Sequence, residues 1–253
     1  MPNFQQTSQR KQLWAEIGLV LGVSLGASAV YSLLQLLQTA LSPKGIAGST
    51  AALNQSQSAN QIFDLALQLV DIAFALVPVA LAIYFLRLRE SELRIGGWPI
   101  RANDLARGLG LAAAIGIPGV ALYALARGAG LATQVVAASA NNYWWSIPVL
   151  LLSALRAGLT EEVIMVGFLF RRLEQLGFSF AKRQAISAVI RGCYHAYQGL
   201  GGFFGNIALG LAFGWCYRRW GRIAPLVIAH FVLDVVVFVG FALLSRQLAN
   251  LGW

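Results

Sequence analysis

Long apolar runs dominate this chain, and they bound everything else that it can be. A bilayer crossing needs about 20 consecutive apolar residues. Runs that meet or approach this length fall near 14–40, 62–86, 107–126, 144–170, 184–199, 203–217 and 223–245. The fifth and sixth are short, and Gly199, Gly201 and Gly202 between them predict a tight turn. Composition agrees, with 58 % of residues hydrophobic and 11 % charged, where a soluble domain carries roughly a quarter charged. The mean hydropathy is +0.66. The expected fold is all-α, a polytopic membrane bundle of about seven transmembrane helices, with no stretch left over for a soluble domain.

Arg10 and Lys11 precede the first run, and Ala27-Ser28-Ala29 inside it resembles a cleavage site. The run continues to Leu41, too long for a signal core, so an uncleaved helix is expected. Positive charge then recurs in every second connection: Arg10 and Lys11; Arg87, Arg89, Arg94, Arg101 and Arg107; Arg171, Arg172, Lys182 and Arg183; Arg218, Arg219 and Arg222. The intervening loops hold only Lys44 and Arg127, and the tail adds Arg246. This positive-inside pattern predicts a cytoplasmic N-terminus, an outer C-terminus and an odd number of crossings. Trp144, Trp145 and Trp220 fit an interfacial belt. The net charge of +9 is spread over short clusters without a nucleic-acid motif, so no nucleic-acid partner is expected. Cys193 and Cys216 lie in apolar runs and read as small buried hydrophobes rather than a disulfide or zinc framework.

Ionisable groups inside spans cost about 2.5–3.5 kcal/mol each and usually mark function. Asp71, Arg156, Glu161, Glu162, Arg191, His195, His230 and Asp234 are such groups, with Asn206 as an uncharged companion. At 1.5 Å per residue, Glu161 lies roughly 15 Å from Arg171, His195 roughly 18 Å from Arg183, Asn206 roughly 18 Å from Arg218, and Asp234 roughly 18 Å from Arg222. Four helices of alternating direction thus deliver polar groups to one layer. Arg191 and His195 are four apart and share a helix face, as do His230 and Asp234. Glu161 and Glu162 point about 100° apart, so one can face a shared cavity while the other braces a neighbouring helix. Asp71 and Arg156 belong to no such spaced pair. Each reads as a helix–helix hydrogen bond or a groove residue.

Such a set suits activation of water. A carboxylate in a low-dielectric site can act as general base. The two imidazoles can bind a metal, hydrogen-bond a developing oxyanion, or do both. Asp234 can orient His230 or serve as a ligand itself. No Ser or Cys stands four residues from either histidine, and there is no HExxH helix. Buried carboxylates and histidines also build proton relays, but no inverted repeat supports a transporter.

Three segments on successive spans resemble the CPBP family of intramembrane proteases, which includes type II CAAX-prenyl proteases and bacteriocin-immunity relatives. They are Glu161-Glu162-Val163-Ile164-Met165-Val166, Arg191-Gly192-Cys193-Tyr194-His195 and His230-Phe231-Val232-Leu233-Asp234. The resemblance covers about residues 150–240. Val166 stands where the family usually has arginine, and Arg191 where it usually has phenylalanine, a swap shared by a bacterial subgroup. The expectation is that Arg191 takes over the missing charge. The resemblance implies a catalytic core over 141–245 preceded by a three-helix membrane region over 1–140. It implies a glutamate-dependent or metallo endopeptidase of the cell (inner) membrane, acting on a membrane-bound CAAX-type or related protein. Glu161 would activate water with His195 in support, and His230 and Asp234 would stabilise the oxyanion, with Glu162 completing the pair. Zinc stays open, with His195, His230 and Glu161 as the donors for a two-histidine, one-carboxylate site. A catalytically silent immunity or scaffold protein of the same fold is the alternative.

Overall fold

The computed structural model describes residues 4–89, 97, 99–138 and 143–250. Arg94, counted above as a loop charge, and the 140/141 domain boundary lie outside the described residues. The fold is all-α. Helices α1 (Phe4–Gly22) and α2 (Leu25–Leu41) are followed by α3 (Gln61–Ala75), α4 (Val77–Arg89) and α5 (Ala102–Gly128). Then come α6 (Ser146–Glu161), a π-helical segment (Glu162–Phe168), α7 (Leu169–Gln175), α8 (Phe180–Tyr194), α9 (Leu200–Trp220) and α10 (Ala224–Asn250).

Residues 61–88 form one span across α3 and α4, and α5, α9 and α10 are also long and apolar enough to cross a membrane. This is the architecture of a multi-pass membrane protein. Where one uncleaved helix was expected over 14–40, α1 and α2 form a pair bent by 54°. At the break, the Ser24 hydroxyl donates to the Val20 carbonyl at 2.5 Å, a local bond that bends helices. The expected turn between the fifth and sixth runs is a 3₁₀ segment, Ala196–Gln198, followed by Gly199 in the positive-φ region at φ +92. Gly201 and Gly202 belong to α9.

Local chemistry sets the helix ends. The Asn60 side chain accepts from the Ile62 and Phe63 amides at the start of α3, and Ser179 caps α8. Side-chain capping of this kind satisfies amides that have no partner inside the helix. The site helices approach closely through glycine. A Cβ at Gly158 of α6 would lie 3.2 Å from the Val227 carbonyl of α10, and one at Gly192 of α8 would lie 2.8 Å from the Phe203 carbonyl of α9.

Two charges read as loop residues tie helices together. Arg172 is fully buried, ion-paired to Glu16 of α1 at 2.7 Å and donating to the Phe85 carbonyl of α4. Arg222 grips Asp104 of α5 through Nε and Nη2, each at 2.8 Å. Trp144 is exposed as an interfacial residue should be, but Trp145 is only 3 % exposed. On the opposite end, short strands β1 (Thr50–Ala52) and β2 (Gln134–Val136) pair in parallel, with Ala51 opposite Val135. Ala132 bridges to Gly199, and Thr133 donates to the Gln198 carbonyl. These loops fold onto the α8–α9 turn.

Candidate active site

The site begins where α6 loses its regular winding. From Glu162 the helix is π-wound for seven residues, a geometry that is rare and concentrates at functional positions. Glu161 and Glu162 sit at that junction, and both are buried. Glu161 lies on the more open side, and Glu162 bonds to the neighbouring helices α8 and α10. Both carboxylates meet Arg191 of α8 and His230 of α10.

Glu162 Oε1 accepts from Arg191 Nη2 at 2.5 Å and from His230 Nδ1 at 2.8 Å. Glu161 Oε2 accepts a hydrogen bond from the Tyr194 hydroxyl at 2.8 Å. The same oxygen lies 3.5 Å from both Arg191 Nη1 and His195 Nε2, and Glu161 Oε1 lies 3.9 Å from His230 Nε2. His230 Nε2 in turn lies 3.5 Å from Asp234 Oδ2, one turn along α10. With Nδ1 committed to Glu162, only Nε2 of His230 is available to a substrate.

Burial gives the cluster a direction. Glu162 is 0 % and Arg191 1 % exposed, whereas the His195 and Asp234 side chains are 18 % and 21 % exposed. Glu162 and Arg191 form the inner wall, and His195, Glu161 and Asp234 form the approachable one. Phe213 of α9 closes the inside, with its ring edge-on to His230 and 5.3 Å below the Arg191 guanidinium.

All six motif residues named from the sequence therefore meet in one place. α8 ends at Tyr194, so His195 occupies the capping position rather than the helix face expected for it, yet it still reaches Glu161. Asn206 stays outside the cluster, donating to the Gly202 carbonyl of its own helix. Asp71 is exposed and accepts from the Gln57 side chain. Cys193, between the motif residues of α8, packs against apolar neighbours. Tyr194 and Phe213 went unread in the sequence. Spacing from Glu161 could not have flagged either, because each reaches the site from a different helix. Asp64, fully buried, was also missed; it accepts from the Gln57 and Ser58 amides and anchors the loop before α3.

Donor atoms of Glu161, Glu162 and His230 lie within 4.8 Å of one another, a different trio from the histidine pair and Glu161 considered above. That trio does not fit a divalent ion well. Arg191 contacts both carboxylates, so a zinc ion would sit against a permanent guanidinium charge.

Val166 lies in the π segment, 2 % exposed and packed among Phe170, Phe213, Cys216 and Leu226. Its environment is apolar, and the cation of the site comes from α8. No curated protein and no solved structure matches the chain. Residues 143–236, somewhat over a third of the chain, match the family model described as type II CAAX prenyl endopeptidase Rce1-like.

Proposed function

We propose that this protein is an intramembrane endopeptidase that hydrolyses a peptide bond of a membrane-held CAAX-type or related protein. The observation that carries the reading is Glu161, approached by His195 on the open side and held from within by Tyr194 and Arg191. These donors stabilise the ionised carboxylate, the form a general base requires.

A water between Glu161 and His195 gives one proton to Glu161 as its oxygen bonds to the scissile carbonyl carbon. His230 Nε2 stabilises the resulting oxyanion, with Asp234 orienting and charging the ring. Collapse breaks the carbon–nitrogen bond, and the proton held by Glu161 passes to the departing amine. Glu162 and Arg191 touch no substrate in this scheme. They fix His230 and balance the second negative charge. No step runs through a metal.

Seven crossings complete the proposal: the α1–α2 pair, α3–α4, α5, the rod from α6 to α7, α8, α9 and α10. Charge clustering supports an N-terminus in the cytoplasm with the site near mid-membrane, and the family resemblance supports a cell membrane of bacterial type. At 15 residues, α8 is roughly 22 Å long, short of the hydrocarbon thickness. The loops carrying β1 and β2 reach down to its end, which supports its place as a full crossing.

The test is cleavage of prenylated CAAX reporter peptides by purified protein in lipid nanodiscs. Wild type should cut, Glu161→Gln should lose at least about a hundredfold, the scale of one general base, and chelator should change nothing. A folded wild type that cuts none of the reporters, or a Glu161→Gln variant as active as wild type, would overturn the reading.

A further inference from the structure

The ring of His195 is placed by stacking. The residue sits between the end of α8 and the 3₁₀ segment Ala196–Gln198. Its amide bonds to the Gly192 carbonyl, and its own carbonyl accepts from the Gln198 amide. These bonds fix the backbone and leave the imidazole to its neighbours. Among the described residues Nδ1 is buried without a hydrogen-bond partner, and Nε2 lies 3.5 Å from Glu161 Oε2. Two rings therefore set the orientation: Tyr194 at 4.8 Å, tilted by 46°, and Tyr197 at 6.3 Å, within 25° of parallel. Tyr194 is fixed through its hydroxyl on Glu161. Tyr197 is fixed from the N-terminal region. Its amide stands near the start of the 3₁₀ turn, where helical amides lack an acceptor of their own, and it donates to Ser32 Oγ of α2 at 2.7 Å.

Ser32 is 4 % exposed, flanked by Tyr31 and Leu33, and a buried hydroxyl is costly unless it is bonded. Its oxygen serves a segment 165 residues further along the chain. The Gln198 side chain donates to the Tyr197 hydroxyl at 3.0 Å, so the tyrosine is held at both ends. The far side of the turn is pinned by the loop before β2, through Thr133 on the Gln198 carbonyl and Ala132 beside Gly199. We propose that Ser32 is a positioning residue: by holding the Tyr197 amide it aligns the ring on which His195 stacks, and with it the reach of His195 Nε2 toward Glu161. The N-terminal membrane region then completes the active site in addition to anchoring it. The effect on turnover rests on the endopeptidase reading, and the effect on His195 rests on the contacts alone. Ser32 touches no substrate. Without its oxygen the Tyr197 amide is stranded, and the turn shifts to find another acceptor. The site tolerates little of this, since a misplacement of about 1 Å can cost about a hundredfold in rate.

The experiment uses full-length protein in nanodiscs and has two readouts. His195 and His230 are the only histidines of the chain, so protein labelled at the histidine ring nitrogens gives the magnetic-resonance signals of two imidazoles, assigned with His195→Gln. Ser32→Ala should move the His195 signals and leave those of His230 in place. On prenylated CAAX reporters its kcat should fall about tenfold with KM little changed, between the several-fold worth of one hydrogen bond and the hundredfold of a misplaced group. Tyr197→Leu should act alike in both readouts. The double variant Ser32→Ala/Tyr197→Leu should lose no more than Tyr197→Leu, because both changes act through one ring. Unmoved His195 signals in Ser32→Ala, or lower thermal stability with wild-type kcat, overturn the proposal, as do losses that multiply in the double variant. A wild type that cuts no reporter would sink the endopeptidase reading instead, and the ring signals would still decide whether Ser32 aligns His195.

Discussion

Replacing Arg191 with methionine keeps much of the side chain's length and removes its charge. In the structure that charge is 1 % exposed and bonded to Glu162, which is wholly buried, with Glu161 3.5 Å from the other nitrogen. Removing one partner of such a pair costs about 3–5 kcal/mol, because the remaining charge is stranded. Loss of the contact with Phe213 adds about 1 kcal/mol. Two donors remain, His230 Nδ1 on Glu162 and the Tyr194 hydroxyl on Glu161, so the expected total is near the low end, about 3 kcal/mol. Most of that cost belongs to the stranded Glu162. The double variant Arg191→Met/Glu162→Gln should therefore be less damaged than the sum of the two singles, with a coupling of about 2 kcal/mol. Titration of micelle-solubilised protein with SDS, followed by tryptophan fluorescence, gives the four stabilities of the cycle. If the two single effects add within about 0.5 kcal/mol, the two side chains do not form the buried pair described here, and the account of Arg191 is wrong.

The displaced cation makes a further prediction. Val166→Arg alone puts a charge into an apolar cluster and should cut both stability and activity, whereas Val166→Arg/Arg191→Phe sets the arginine and phenylalanine where the proteases that the motifs resemble have them and should be more active than either single variant. Peptide-cleavage rates for the three proteins decide it. Tyr194→Phe removes only the hydroxyl on Glu161. At about 1.5–3 kcal/mol for a hydrogen bond to a charged group, kcat should fall roughly 10–100-fold with KM little changed, and unchanged kcat would remove Tyr194 from the site. Gly192→Ala sets a methyl 2.6 Å from Ile207 Cγ1 and 2.8 Å from the Phe203 carbonyl. Overpacking of this kind costs about 1–3 kcal/mol, measurable as a lower thermal midpoint in detergent. Glu16→Gln removes the anion that faces Arg172 but leaves it the Phe85 carbonyl and Gln175, so the cost should be near the low end, about 3 kcal/mol, and an unchanged midpoint would show that the pair is not a brace.

Sequence alone determined the solvent and the inventory. Apolar runs of bilayer length leave a helical membrane protein as the outcome, since backbone groups in lipid must bond within the helix. The cost of charge in hydrocarbon picked out Glu161, Glu162, Arg191, His195, His230 and Asp234, and helical rise put them at one depth. Rise along a helix is one-dimensional and local, which is why it could be read without a structure. Direction around the helix axis could not. The π winding at Glu162 has no marker among its own residues, and the approach of both glutamates to Arg191 and His230 is set by contacts between helices. Only packing between helices revealed that Tyr194 bonds Glu161 and that Phe213 backs His230. Packing likewise made Arg172 an interior brace instead of a loop charge. Those facts depend on which faces touch after α6, α8, α9 and α10 have assembled. Pairing across helices is decided by close contact in three dimensions, where a shift of one residue in winding changes a side chain's partner.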